Sequence, residues 1–192
     1  CRLTGYNEPM TRSKSSFIEP VPGPFVAIDF ETADHYPDSA CAVGMVRVEN
    51  GRVVRRMRQL IRPPRDVMIF THIHGITLDA VEDKPEFGQA WPVLREILDG
   101  VRFIAAHNAA FDRGVLRACC DSAGLESPQL PWVCSVREAR RVLGIFPANL
   151  ANVCRVMGLK LNHHEALSDA EACARIVMAS RRAQKTSRGQ NA

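Results

Sequence analysis

Residues 25–32 read FVAIDFET. The run over 25–30 is short and apolar, and it suits a strand buried on both faces. In a strand, residues two apart point to the same side. Asp29 and Glu31 therefore project together, while Phe30 enters the opposite layer. Two carboxylates at the end of a buried apolar run repel each other and lose hydration. A bound divalent cation offsets both effects. A lone D-x-E triplet is common, however, and taken alone it reads as the start of a solvated loop.

Working outward, 42–48 and 53–61 flank Asn50-Gly51, a strong hairpin signal. Segment 87–98 has helical spacing, with Pro92 kinking the helix or delaying its start. Segment 101–106 reads as a second buried strand. A helix is expected over 111–123, stopped by Gly124, and a short strand over 131–133. Segments 135–143 and 150–157 are helical. The last helix is expected over 169–179, with Ala170, Cys173, Ala174 and Val177 on one face. A leading antiparallel hairpin followed by β/α alternation gives an α/β fold: a mixed sheet flanked by helices. Residues 1–24, with four prolines, read as a flexible lead-in. Residues 25–180 form one domain, and 181–192 form a basic polar tail expected to fray.

The chain has 192 residues, 46% hydrophobic and 24% charged, which excludes a disordered chain. No apolar stretch approaches the roughly 18 residues of a membrane span, and no signal sequence opens the chain. Seven scattered cysteines without a CxxC pair signal neither a zinc ribbon nor a disulfide framework. Reduced thiols in a cytoplasmic protein are the expectation. The net charge is +4, yet 181–192 alone carry +4 and 1–20 carry +1, which leaves the body at −1. Bulk charge is thus weak evidence for a nucleic-acid partner. Arg52, Arg55, Arg56, Arg58, Arg62 and Arg65 occupy a stretch without acids, which reads as a charged edge strand rather than a nucleic-acid track. Solvation is likewise the favoured reading of the basic tail.

Two further stretches carry chemistry. Residues 106–112, AHNAAFD, follow a buried strand and open a helix. Asp112 falls in the first turn, where the dipole favours a carboxylate, and Asn108 is a candidate cap. Residues 163–169 read HHEALSD. On one continuous helix His164 and Asp169 would sit about 140° apart. Ser168 to Glu171 spells a capping box, which puts Asp169 at the helix start and His164 in the preceding loop, so that both can converge. His163 receives no role.

In order, these are D-x-E, H-N-x-x-F-D and H-x-x-x-x-D, separated by 81 and 57 residues. With Ala27-Ile28-Asp29-Phe30-Glu31-Thr32, His74-Gly75-Ile76-Thr77 and Ala166-Leu167-Ser168-Asp169-Ala170-Glu171-Ala172, the sequence resembles the DEDDh family of 3′–5′ exonucleases. The likeness runs from about 25 to 180 and is to the proofreading epsilon subunit of bacterial DNA polymerase III and related bacterial exonucleases. The resemblance implies an RNase H-like fold in which Asp29, Glu31, Asp112 and Asp169 hold two divalent cations, Mg²⁺ or Mn²⁺, with Asp29 bridging them. It implies that His164 is the general base. It also implies that Thr32 contacts the terminal nucleotide, that His74 and Ile76 pack against its sugar or base, and that Asn108 organises the site. Residues 74–77 read equally as a tight loop entering a helix capped by Thr77. Phe111 is assigned to the core rather than to base stacking.

Elementary chemistry agrees with this assignment. Phosphodiester hydrolysis needs an activated water and a stabilised leaving oxygen, and two cations roughly 3.5–4 Å apart serve both. Hard oxygen ligands suit Mg²⁺ or Mn²⁺ better than zinc. A histidine with a pKa near ~6.5 can take a proton at neutral pH. The expected activity is metal-dependent 3′–5′ trimming of nucleic acid, DNA favoured, that releases nucleoside 5′-monophosphates. The partners are 3′ ends of single-stranded DNA or RNA, and a DNA polymerase in the case of a proofreading subunit. About a dozen polar residues follow the last expected helix, so no long polymerase-binding extension is expected. The rival readings are an RNA-trimming member of the same family and a non-catalytic nucleic-acid adaptor that keeps the fold.

Overall fold

The computed structural model describes residues 17–18 and 20–189. Its sheet contains β1 (Phe25–Thr32), β2 (Ala40–Glu49), β3 (Arg52–Leu60), β4 (Ile104–Ala106) and β5 (Trp132–Cys134), in the order β3-β2-β1-β4-β5. β1, β2 and β3 pair antiparallel, while β1–β4 and β4–β5 pair parallel. Two single-turn helices, α1 (Thr71–His74) and α2 (Leu78–Val81), precede α3 (Phe87–Arg95), which ends in a 3₁₀ turn, Glu96–Leu98. The remaining helices are α4 (Ala109–Ser122), α5 (Ser135–Arg141), α6 (Leu150–Met157) and α7 (Ala166–Gly189). No described helix is long and apolar enough to cross a membrane.

The alternation of β1 decides the layers. Val26, Ile28 and Phe30 pack with Trp91 and Leu94 of α3 and with Val115 and Leu116 of α4. Phe25 and Ala27 face α7 and meet Ala170, Cys173, Ala174 and Val177, the face expected from the helical spacing. Asp29 and Glu31 continue the α7 side of the strand. The arginine-rich strand β3 lies at the sheet edge, as its charge pattern suggested. The six described cysteines are free and buried; Cys1 lies outside the described residues.

Three expectations change. First, α7 begins at Ala166, before the expected Ser168 cap. The Glu165 carboxylate accepts hydrogen bonds from the amides of Leu167 (3.3 Å) and Ser168 (2.9 Å), so it satisfies the helix start, and the Ser168 hydroxyl accepts from the Asn162 amide instead. Second, α7 continues to Gly189, where a frayed tail was expected. Ala, Arg, Gln and Lys favour helix, and the extension is anchored. Arg181 donates to the Gly23 carbonyl, and Gln184 donates to the Glu138 carboxylate. Third, part of the lead-in is docked: Phe17 bridges Trp132, and the Ile18 amide donates to the Trp132 carbonyl at 2.9 Å. Residues 1–16, 19 and 190–192 lie outside the described residues.

One close approach sets the position of α7. Asp29, Gly44 and Arg58 are cross-strand partners in β1, β2 and β3 and share a face. A Cβ on Gly44 would fall well inside van der Waals contact with the carbonyl of Ala166 and the amide nitrogen of Leu167. Only glycine lets that backbone rest on the sheet. Arg58, in the same row, grips the capping Glu165 at 2.6 Å.

Gly44→Ala should therefore cost about 1–3 kcal/mol in urea unfolding, the range for overpacking a filled site. Gly114→Ala, on α4 with open space around it, should instead stabilise by about 0.4–1 kcal/mol. Equal effects for the two would show that the Gly44 approach is unimportant.

Candidate active site

The acids meet where β1 ends. One carboxylate oxygen from each of Asp29, Glu31 and Asp169 lies within 4.8 Å of the others. They come from two elements: adjacent same-side positions of β1 and the first turn of α7. Asp112 stands outside this closest trio. It is buried at the start of α4, and its Oδ1 accepts a hydrogen bond from the Phe30 amide at 3.1 Å. β4 pairs only with Val26 and Ala27, so it does not reach Phe30, and Asp112 partners that amide instead.

The electrostatics are adverse without a counterion. Desolvation, followed by repulsion from Asp112, Asp169, Glu31 and Glu165, drives Asp29 well above the ordinary carboxylate range. Desolvation and the charges of Asp169, Asp112 and Glu165 lift Glu31 from 4.5 to about 8. Burial lifts Asp112 to about 7 against the opposing hydrogen bond from Phe30. Asp169 is raised by burial, with the His163 hydrogen bond opposing. Asp169 Oδ1 is buried and has no hydrogen-bond partner. A protein seldom leaves such an atom unsatisfied. An orphaned oxygen on a carboxylate grouped with two others fits a hard divalent cation.

The two histidines divide their work. His163 Nδ1 contacts Asp169 Oδ2 at 2.9 Å, and the His164 amide donates to the same oxygen at 3.1 Å. The two rings stack with centroids 3.9 Å apart. His164 adopts φ 66°, a left-handed conformation that is costly for a side-chain-bearing residue. Its ring is exposed in the cleft, and desolvation with the neighbouring His163 holds its pKa below the ordinary value. His163, to which the sequence pattern gave no role, is thus the side chain that orients Asp169. Only the doubled histidine hinted at it. Gly44 was also missed, although a glycine inside an apolar strand is a known sign of close backbone approach.

Asp29, Glu31, Asp169 and His164 line a cleft of about 760 Å³, together with Thr32, His74, Asn108, Phe70, Ile73 and Phe111, while Asp112 is buried behind it. Phe111 is 47% exposed. The core position assigned to it is corrected: Asp112 takes the buried face of α4's first turn, so its neighbour faces out. Ile76 is buried among Ala33, Cys41, Val81 and Ala166, away from the cleft wall. Ile73, 43% exposed, presents the apolar surface there. His74 is engaged at both ring nitrogens. Nε2 contacts the Thr32 carbonyl at 3.1 Å and therefore carries the proton, so Nδ1 accepts from the Ile76 amide. Thr77 precedes α2 without a side-chain cap bond, and Asn108 makes none at α4, where its φ is 68°. His107 bridges Ser135 Oγ (2.8 Å) and the Ala148 carbonyl (3.1 Å), which ties the far wall of the cleft to the end of β4. Burial lowers its pKa to about 4, so it stays neutral.

A carboxyl with a raised pKa holds its proton in the folded state after the unfolded chain has released it. Stability therefore falls as pH rises from about 4.5 towards about 8 for Glu31. In cation-free protein, Glu31→Gln should raise Tm relative to the parent, and the gap should widen from pH 5 to pH 8. The same change should shrink the Tm gain on adding Mg²⁺ or Mn²⁺. A variant that matches the parent in both measurements would remove Glu31 from the cluster.

Comparison with known proteins fits this arrangement. The RNase_T exonuclease family model matches residues 26–177. Exodeoxyribonuclease 10 of Escherichia coli is 33% identical over 147 residues, which cover 71% of this chain and 59% of that protein. A PolC-type DNA polymerase III of Thermotoga petrophila is 29% identical over 175 residues, 89% of this chain but 13% of that protein. The chain thus spans only a part of these relatives. Among solved structures, exonuclease X in complex with 5′ overhanging duplex DNA superposes with TM-score 0.67 at 26% identity, covering 82% of this chain and 91% of that one. The nuclease domain of 3′hExo, a DEDDh family member bound to rAMP, shares the fold with TM-score 0.69 at 20% identity, covering 88% of this chain and 95% of that one. By its sequence match the chain belongs to the RNase_T exonuclease family, and it shares its RNase H-like fold with a DEDDh exonuclease.

Proposed function

We propose that the protein is a metal-dependent 3′–5′ exonuclease that removes nucleoside 5′-monophosphates from DNA. The observation that carries this reading is the Asp29, Glu31 and Asp169 trio with its orphaned Asp169 oxygen, beside His164 in one cleft. Two divalent cations held by Asp29, Glu31, Asp112 and Asp169 would supply the positive charge that activates water and stabilises the leaving oxygen. His164, neutral at physiological pH because its pKa is lowered, accepts the proton of the attacking water. The new bond joins the water oxygen to phosphorus. The phosphorus–O3′ bond breaks, and the departing 3′ oxygen takes up a proton. His163 holds Asp169 in register, and His74 holds the Thr32 carbonyl at the cleft wall. Phe70, Ile73 and Phe111 offer apolar surface for the terminal base and sugar, and such stacking is sequence-tolerant. Asn108 lies on the rim, within reach of the same nucleotide.

The preference for DNA is supported by the identity with exodeoxyribonuclease 10 and by the likeness to DNA-bound exonuclease X. The match to PolC-type polymerases makes a DNA polymerase the protein partner to test.

Purified protein with Mg²⁺ or Mn²⁺ should shorten 5′-labelled single-stranded DNA to a ladder, faster than RNA of the same sequence. A lack of shortened products with either cation would contradict the enzyme reading, and faster RNA trimming would transfer the assignment to RNA. His164→Ala should lower kcat by about 10²–10⁴-fold with cation affinity retained in calorimetry. Asp169→Ala should lose both.

A further inference from the structure

The two ends of the sheet carry opposite charge. The acids occupy the end where β1 terminates. At the other end, the β2–β3 turn at Asn50 and Gly51, the segment before β1 and the C-terminal half of α7 enclose a separate cavity of about 650 Å³. Arg52, Arg181, Arg182 and Lys185 line it, and no acidic side chain does. Arg181 is committed to the fold: it donates to the Gly23 carbonyl at 3.0 Å and lies 5.7 Å from the Phe25 ring centroid. Arg52, Arg182 and Lys185 are exposed and make no ion pair among the described residues. Their neighbours on β3 differ. Arg55, Arg56 and Arg58 pair with Glu96, Glu171 and Glu165. Most of the arginine strand is thus internally neutralised, whereas three cations without an ion pair among the described residues surround this cavity.

Three unpaired cations around a concave surface repel one another, and an anion relieves that repulsion. The exonuclease reading, on which this inference rests, supplies a polyanion that the acidic end repels until cations are bound. α7 measures the separation. Lys185 is 16 residues beyond Asp169 on the same helix, about 24 Å at ~1.5 Å per residue. A stacked, B-form strand of DNA rises ~3.4 Å per nucleotide, so that axial distance corresponds to about seven stacked nucleotides. Glu171, Arg175, Arg182 and Lys185 follow at helical spacing along one stripe of α7, whose near end pairs with Arg56 of β3 and whose far end lines the cavity.

We propose that Arg52, Arg182 and Lys185 form a second polynucleotide-binding site, which holds backbone phosphates about seven nucleotides upstream of the 3′ end being cleaved. Short substrates cannot reach it. Long ones gain affinity through it, with a dependence on salt.

The test is the triple variant Arg52→Ser/Arg182→Ser/Lys185→Ser, with Arg117→Ser on α4 as a remote control. Single-stranded DNA binding is measured in EDTA by anisotropy at several salt concentrations, and cleavage is measured with Mg²⁺. The triple variant should bind a dodecanucleotide about tenfold more weakly, with the slope of log K against log salt reduced by about 2–3. It should cleave a tetranucleotide at the parent's kcat/KM and melt at the parent's Tm. Parent-like dodecanucleotide affinity and salt slope would overturn the site. An equal loss for tetranucleotide and dodecanucleotide would overturn its upstream placement. Failure of the parent to cleave any oligonucleotide would instead refute the exonuclease reading, and the binding comparison in EDTA would still decide this one.

Discussion

The structure depends on a row of three cross-strand partners, Asp29, Gly44 and Arg58. Asp29 supplies the charge. Gly44 leaves the space through which the backbone of residues 166–167 settles onto the sheet. Arg58 grips Glu165, whose carboxylate caps the helix just begun there. One turn later, that helix delivers Asp169 to Asp29 and Glu31. The acid cluster is therefore built by the same contacts that dock α7. Crowding these acids is unfavourable in itself, as the raised pKa values of Asp29, Glu31, Asp112 and Asp169 show. The fold holds them together through rigid elements and a buried amide. Such an arrangement is expected of a site preorganised for cations.

Much of this was legible in the sequence, because its strongest signals are periodic. Strand alternation put Asp29 and Glu31 on one side and Phe30 on the other, and β1 is built that way. The Asn50-Gly51 turn and the apolar face of α7 followed from equally local rules. The misses arose where a local rule met a tertiary contact. Ser168 carries a capping signature, but Glu165 is held in place by Arg58 on a strand more than a hundred residues earlier, and the helix starts there instead. Phe111 looked like core because it is large and apolar, yet Asp112 takes the inward position. Ile76 was matched to the cleft by its motif, while the turn of α1 brings Ile73 to the wall. The polar tail looked mobile until anchors at Gly23 and Glu138 gave it a surface to follow.

Charge has a different meaning at each end of the molecule. The body carries a small negative excess, and its acids cluster where β1 ends. The positive excess lies on the distal part of α7 and at the β2–β3 turn. A chain with this polarity can accept a polyanion although the body of the domain is not itself basic. The ion pairs on β3 keep the intervening edge from acting as an indiscriminate basic surface, and a charged edge also discourages strand addition by other chains.

The central claim is that the acid cluster exists to hold divalent cations. Its most direct test is a crystal soaked in Mn²⁺ and measured for anomalous scattering. The expected result is strong anomalous density bounded by Asp29, Glu31 and Asp169, with Asp169 Oδ1 as a ligand and Asp112 completing the site. A map at saturating Mn²⁺ without density there, with the carboxyl groups sharing protons among themselves, would contradict it.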